Sequence, residues 1–316
     1  MIRSATIGRG AVIALLFASG ALRAEDLSAP HPEAIPFTAQ EKARITAVTA
    51  PPTTFDAPEP FEARPGGAAT AMGATGPRAF LNPAATLSDA ARLDFAVGQS
   101  LFEKLWVAAP SATTASDGLG PLYNARACSN CHPANGRGRP PEGPGDDALS
   151  MVLRLSVPDA ASGLTPDTLA RLPNAPEPSY GLQLQNRSLP GVPAEGRFTL
   201  RYKPVPVTLG DGTIVELRAP RYDIAAPGYG PLHPQSQISP RVAPQMIGLG
   251  LIEAIPAAAL LAHADPDDAD GDGISGRPNR VWSREEGDWR LGRFGHKAGE
   301  PTVRAQAFAA LHMDIG

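Results

Sequence analysis

The residues of this sequence best suited to chemistry are its two cysteines and the histidine beside them. Cys128 and Cys131 are separated by two residues, and His132 directly follows the second cysteine. Two thiols at this spacing can form thioether bonds with both vinyl groups of one porphyrin, and the adjacent histidine can then ligate its iron. The motif therefore predicts one covalently attached haem c, with His132 as the proximal iron ligand.

Other uses of a Cys-x-x-Cys pair fit this sequence less well. A structural zinc site needs two further Cys or His ligands with a spacing of their own, and the chain has no second pair of that kind. A thioredoxin-like dithiol belongs in a βαβ unit, and the flanking glycines and prolines do not predict one. A structural disulfide closing so small a ring would add little stability.

Residues 1–24 have the layout of a secretory signal peptide. Arg3 and Arg9 precede a short apolar stretch, and small residues follow it. An uncleaved N-terminal anchor is the alternative. We expect export to the periplasm, because haem attachment needs thiols presented outside the reducing cytosol.

Composition restricts the partners of the chain. The formal net charge is −4 and the sequence pI is about 5.9, which argues against nucleic acid as a partner. We expect a protein that is soluble rather than embedded in a membrane, with a periplasmic electron donor or acceptor as its partner. The 35 prolines and 32 glycines predict long loops.

Residues 25–84 are rich in Pro, Ala and Gly, which is typical of an arm or linker. Residues 85–316 are predicted to form a mainly α, cytochrome c-like haem domain with long loops. A β-hairpin-rich insertion is expected at about 153–222, where strands at Phe198–Val207 and Thr213–Leu217 flank a Gly-Asp-Gly turn. Pro204 and Pro206 confine the first of these strands to an edge.

One long helix is predicted from Ser88, as its N-cap, to Val107. Leucines, Val97 and two aromatic residues recur in it at helical spacing and define one apolar face. Gly98 inside this helix lowers its stability, so we expect a close contact with another helix or with the porphyrin edge at that point.

Three arginines near the motif are candidates for binding the haem propionates. Arg126 precedes the cysteines, whereas Arg137 and Arg139 lie in the glycine-punctuated loop after His132. A fork-shaped guanidinium suits a carboxylate. The alternative is that these arginines are solvated loop charges.

The residue that occupies the sixth iron position decides between electron transfer and catalysis. We expect His233, which a proline follows in a rigid loop, or Met246, which lies among apolar residues. With no protein ligand there, peroxide could bind.

An acidic stretch further along the chain predicts a calcium site. Asp268, Asp270 and Asp272 alternate before a glycine, as the ligands of a calcium loop do. Asn279 occupies the twelfth position, where an EF-hand has a bidentate glutamate. A solvated acidic turn is the alternative.

Several short motifs together are more specific than the haem motif alone. Besides Cys-x-x-Cys-His they include Asp117-Gly118-Leu119-Gly120-Pro121, Pro231-Leu232-His233-Pro234, Ile247–Ile255, Asp268–Arg277 and Gly292-Arg293-Phe294-Gly295. In these motifs the sequence resembles the bacterial di-haem oxidoreductases, which are relatives of di-haem cytochrome c peroxidase. The resemblance covers most of the chain after about residue 85.

The resemblance implies a haem oxidoreductase of peroxidase type that transfers electrons and reduces peroxide. In such proteins one haem stores an electron while the other binds peroxide. It also implies a second Cys-x-x-Cys-His motif toward the C-terminus, and this sequence contains one motif. We therefore expect a partial sequence. The alternative is a mono-haem electron-transfer cytochrome c without catalytic activity.

Overall fold

A computed structural model describes residues 37–316 apart from residues 60, 74, 147 and 148. The predicted signal peptide and residues 25–36 of the predicted arm therefore lie outside the described residues. No helix in the described ranges is long and apolar enough to cross a membrane.

Short helices alternate with strands along the chain. The helices are α1 (Ala39–Val48), α2 (Asp89–Glu103), α3 (Cys128–Cys131), α4 (Pro166–Ala170), α5 (Leu249–Glu253), α6 (Ala257–Leu261) and α7 (Val303–Ala310), with a π-helical turn at Leu311–Ile315. The strands are β1 (Leu122–Tyr123), β2 (Met151–Ser156), β3 (Arg187–Ser188), β4 (Arg197–Thr208), β5 (Ile214–Ala225), β6 (Gln237–Val242), β7 (Arg280–Ser283) and β8 (Asp288–Leu291).

The strands form antiparallel pairs rather than one large sheet. In the described part of the chain, β1 pairs with β3, β2 with β6, β4 with β5, and β7 with β8. The prediction of a mainly α fold is therefore wrong: 25% of the structure is helical and 21% is strand, and only three of the described helices have seven or more residues. Frequent prolines and glycines keep most helices short, and two of the sheets pair strands that are distant in sequence.

The principal hydrophobic core lies on one face of the β2–β6 sheet. Side chains of β2 alternate between buried and half-buried, and Leu153 and Leu155 are 1% and 2% exposed. Tyr180 and Leu184 complete the buried cluster, and apolar side chains from β4, β5 and β6 pack against it. The sheet thus joins the middle of the chain to residues beyond 237.

The predicted β-hairpin is confirmed, and it is longer than expected. β4 and β5 pair from Arg197↔Ala225 to Thr208↔Ile214, so the second strand extends eight residues beyond Leu217. Each strand has one partner and is an edge strand, as the prolines of β4 predict. A further proline, Pro220, lies in β5.

Helix α2 begins as predicted and ends earlier. Ser88 Oγ accepts a hydrogen bond from the Ala91 N–H, which confirms the N-cap. The helix ends at Glu103 rather than at Val107. No protein atom beyond the helix backbone lies within 4 Å of a Cβ built on Gly98, so the described residues place no other helix there. The alternative, a contact with the porphyrin edge, stays a prediction.

The face that α2 buries differs from the predicted apolar face. Leu93 and Val97, which belong to the predicted face, are 70% and 62% exposed. Phe102, which also belongs to the predicted face, is half-buried, and the other half-buried side chains of the helix are those of Ala91, Phe95 and Gln99. Phe102 lies beside the ring of His132.

The arm contains a helix that the sequence analysis did not predict. Thr38 and Glu41 form a capping box at the start of α1, in which each side chain accepts the other residue's backbone N–H. No residue of α1 is buried. The Thr-x-x-Glu spacing is the local signal that could have identified this helix start.

Replacing Leu153 by alanine is expected to lower the free energy of unfolding by about 2–5 kcal/mol, because a buried leucine leaves a cavity when it is truncated. The matched control is L93A, whose side chain is mostly exposed and whose loss should change the free energy of unfolding by about 0.5 kcal/mol or less. Urea unfolding measures both. Equal losses in the two variants would contradict the assignment of the core to β2.

Candidate functional site

A single helical turn holds the three residues of the Cys-x-x-Cys-His motif together. Helix α3 begins at Cys128 and ends at Cys131, and His132 closes it by donating its backbone N–H to the Cys128 carbonyl at 3.0 Å. Both cysteines are half-buried free thiols. The turn therefore presents two thiols and an imidazole from one short backbone segment.

The His132 imidazole is oriented by a backbone carbonyl. Its Nδ1 lies 2.6 Å from the carbonyl oxygen of Pro244, just beyond the end of β6. A carbonyl can only accept, so Nδ1 donates and Nε2 keeps its lone pair in the neutral ring. Burial lowers the pKa of His132 and favours that neutral form. The ring centroid lies 6.0 Å from that of Phe102, so an aromatic side chain near the end of α2 flanks the imidazole.

The thiols lie in surroundings that keep them protonated. Burial, with a smaller contribution from the Asp314 carboxylate, raises the pKa of Cys131 to about 12 and also raises the pKa of Cys128. The Cys131 Sγ donates to the Leu149 carbonyl oxygen at 2.8 Å. A zinc thiolate site needs deprotonated sulfur, so these surroundings do not favour one.

The donor set fits a haem better than a tetrahedral metal ion. Among the described residues, no group of three or more Cys, His, Asp or Glu side chains that could hold a metal ion includes Cys128, Cys131 or His132. Two thiols on one turn, which can form thioether bonds, and an imidazole with a free Nε2, which can ligate iron, are instead the groups that a covalently attached haem requires. Cys128, Cys131 and His132 would hold the group.

A half-buried carboxylate near the motif was missed by sequence reasoning. Asp314 interacts electrostatically with Cys128, Cys131 and His132. Gln183 Nε2 donates to the Asp314 Oδ1 at 2.7 Å. Burial raises the pKa of Asp314, and this hydrogen bond partly opposes the rise. No local sequence pattern reveals that Gln183 and Asp314 interact, because the two residues are 131 positions apart.

The segment around Asp314 is fixed to the approach to the motif. The Asp314 backbone carbonyl accepts the N–H groups of Asn124 and Ala125 at 2.9 and 3.0 Å. The Asn124 side chain in turn accepts from Gln183 Nε2 at 2.7 Å. The π-helical turn and the residues before Cys128 therefore form one hydrogen-bonded unit.

An open cleft of about 370 Å³ lies beside this unit. Trp106 lines the cleft, and its backbone N–H donates to the carbonyl of Arg126 at 2.8 Å. Arg126 lies two residues before Cys128, so this part of the cleft lies near the motif. The cleft offers mainly apolar surface, of the kind that a flat hydrophobic group needs. Its lining residues are Trp106, Gly118, Phe308, Leu311, His312, Ile315 and Gly316.

The three candidate propionate arginines have different surroundings. Arg126 donates from Nε to the Trp106 carbonyl at 3.1 Å. Arg139 forms an ion pair with Asp146, at 2.6 Å between Nη1 and Oδ2. Arg137 is exposed. The described contacts do not bring the three guanidinium groups together, and their role as propionate ligands stays a prediction.

The two candidates for the sixth iron position lie at different ends of β6. Met246 follows β6, and its N–H donates to the Asn135 carbonyl at 2.8 Å, close to the motif in the chain. His233 precedes β6, and its Nδ1 accepts from the Gln235 N–H at 3.2 Å. In the neutral ring the proton then lies on Nε2, so ligation through Nε2 would require a change of tautomer. Both assignments stay predictions.

The loop that carries His233 is held by a buried carboxylate, Glu177, which is 1% exposed. Its Oε1 accepts the His233 N–H, and its Oε2 accepts those of Ser179 and Tyr180, each at 2.7 Å. Burial alone would raise the pKa of Glu177, but these hydrogen bonds together lower it. The carboxylate therefore stays ionised and fixes the loop.

The acidic loop groups a different set of carboxylates from the predicted one. Oxygen atoms of Asp265, Asp268 and Asp270 lie within 4.8 Å of one another. Asp272 instead accepts the Ile274 N–H at 2.8 Å. Sequence reasoning missed Asp265 because it lies before the alternating run. Calcium binding stays a prediction.

The geometry of the site and the comparison with protein families point to the same class of protein. A turn with two thiols and an oriented imidazole defines a candidate haem-attachment site. The model of the family described as "Di-haem oxidoreductase, putative peroxidase" matches residues 61–316, and the chain belongs to this family. The resemblance noted from the sequence motifs is thereby confirmed. No curated protein and no solved structure matches the chain significantly.

Replacing Glu177 by glutamine is expected to lower the free energy of unfolding at pH 7 by about 1–3 kcal/mol, because an amide cannot accept all of these hydrogen bonds. The lowered pKa of Glu177 stabilises the wild type above the unfolded-state pKa, and that contribution is lost as the pH falls through the folded-state pKa. The difference between wild type and E177Q should therefore shrink in acid.

Urea unfolding between neutral and acidic pH measures this difference. The matched control is E216Q, which changes an exposed glutamate of β5 and should have little effect. A difference between wild type and E177Q that does not change with pH would contradict the role assigned to the carboxylate.

Proposed function

We propose that this chain is an exported haem oxidoreductase of peroxidase type. Cys128 and Cys131 would hold a haem c covalently, and His132 would supply a ligand to its iron. The observation that carries the proposal is the hydrogen bond from His132 Nδ1 to the Pro244 carbonyl, which leaves Nε2 available for iron. Membership of the di-haem oxidoreductase family supports it.

Each residue of the site has a separate task in this proposal. The bound haem supplies one-electron transfer and, where a coordination position is open, reduction of peroxide. Cys128 and Cys131 tether the group, and the Pro244 carbonyl holds the proton of His132 on Nδ1. Phe102 flanks the imidazole.

The location and the partner are part of the same proposal. The arginines and apolar stretch within residues 1–24 support export, and covalent attachment at free thiols suits the periplasm. A periplasmic electron donor or acceptor would then be the partner. Arg126, Arg137 and Arg139 are the candidate propionate contacts, and His233 or Met246 is the candidate sixth ligand.

A second candidate function is mono-haem electron transfer without catalysis. The observation that favours it is the position of Met246, a candidate strong iron ligand whose N–H donates to the carbonyl of Asn135, three residues after His132, at 2.8 Å. The two functions differ at the sixth iron position, because a strong protein ligand there blocks peroxide.

Replacing both Cys128 and Cys131 by serine is expected to abolish covalent haem, because serine cannot form the thioether bonds. The protein is produced with the c-type maturation machinery, denatured, and examined by haem staining and mass spectrometry. The control is S129A, which changes a residue between the cysteines and should retain the group. Covalent haem in the double variant would contradict the attachment site.

The purified haem-loaded protein is expected to consume hydrogen peroxide in the presence of an electron donor and to show a high-spin ferric signal. Both results follow from an open or displaceable sixth position. Electron paramagnetic resonance and a peroxide-consumption assay measure them. A purely low-spin protein that is inert to peroxide but exchanges electrons would instead establish the electron-transfer function.

A further inference from the structure

The β4–β5 hairpin has two faces with different surroundings. On its inner face, Phe198, Tyr222 and Ile224 pack against the core beside β2, and Leu200 is 4% exposed. The Tyr202 hydroxyl donates to the Pro141 carbonyl, which ties this face to the body of the protein. The opposite face is therefore the one turned to solvent.

The half of the outer face that lies farther from the turn is strongly basic. It carries Arg197, Arg201 and Lys203 on β4 and Arg221 on β5, all of them exposed. Asp223 is the one carboxylate at these alternating positions of the two strands. The whole chain has a formal net charge of −4, so this face is a local concentration of positive charge and not a sign of general basicity.

Two of these cations are placed where they repel each other. Arg201 lies directly opposite Arg221 in the ladder, and like charges at directly opposed positions destabilise a sheet. In the part of the chain that the structure describes, no carboxylate lies within ion-pair distance of any of the four cations. The arrangement weakens the isolated hairpin, and a partner that supplies negative charge would relieve it.

The tip of the hairpin argues against insertion into a membrane. Leu209 and Ile214 are exposed there, but Asp211 lies between them at the apex. The Asp211 Oδ1 accepts the Thr213 N–H at 2.9 Å, and this hydrogen bond lowers the pKa of Asp211 and keeps it ionised. Burying an ionised carboxylate in a bilayer is costly.

We infer that the outer face of the β4–β5 hairpin is a docking surface for an acidic protein surface. Its four cations provide the attraction, and the anchored inner face holds them in a fixed array. Complementary charge of this kind raises association rates and depends on ionic strength. Binding at this face does not depend on whether the chain exchanges electrons.

The test measures binding of the full-length, haem-loaded protein to immobilised poly-L-glutamate at low ionic strength. The variant R201Q/R221Q is expected to bind about tenfold more weakly than wild type, because it removes two central charges. The matched control R64Q/R78Q makes the same charge change at two exposed arginines outside the hairpin and should bind within about twofold of wild type. Equal weakening in both variants would overturn the inference.

Two further measurements complete the test. The second pair R197Q/K203Q should also weaken binding, and it serves if the first variant does not fold. Thermal unfolding of R201Q/R221Q should show no loss of stability, because the substitution removes a repulsion. Wild-type binding to phosphatidylglycerol vesicles without binding to poly-L-glutamate would overturn the inference in favour of a lipid surface.

Discussion

The hydrogen bond between the His132 imidazole and the Pro244 carbonyl is the interaction on which the site depends. It joins residues that are 112 positions apart in the chain. Pro244 reaches this position because β6 pairs with β2, which begins shortly after the motif. The orientation of the His132 ring thus depends on the β2–β6 sheet, whose two strands lie far apart in the sequence.

A second long-range connection stabilises the other side of the motif. The backbone carbonyl of Asp314 accepts hydrogen bonds from the N–H groups of Asn124 and Ala125. The Asp314 carboxylate accepts a hydrogen bond from Gln183. A buried carboxylate is costly unless it is hydrogen-bonded. Its partner Gln183 also donates to the side chain of Asn124, which lies four residues before Cys128. The stability of this network and the position of the thiols are therefore coupled.

The features that could be predicted from the sequence have local causes. The Cys-x-x-Cys-His motif, the Ser88 N-cap and the Gly-Asp-Gly turn each depend on a few neighbouring residues. The mainly α prediction failed because β2 finds its partner only in the folded chain, and no local pattern reveals that pairing. Asp314 and Gln183 were missed for the same reason, since each gains its role from a contact distant in sequence.

The prolines of the hairpin affect whether copies of this chain associate through their strand edges. Both long edges of a two-stranded sheet expose backbone groups that another strand could pair with. Because the ladder continues through Pro204, Pro206 and Pro220, the nitrogens of these residues face the free edges and offer no N–H there. The longest strands of the described structure are thereby protected against edge-to-edge aggregation.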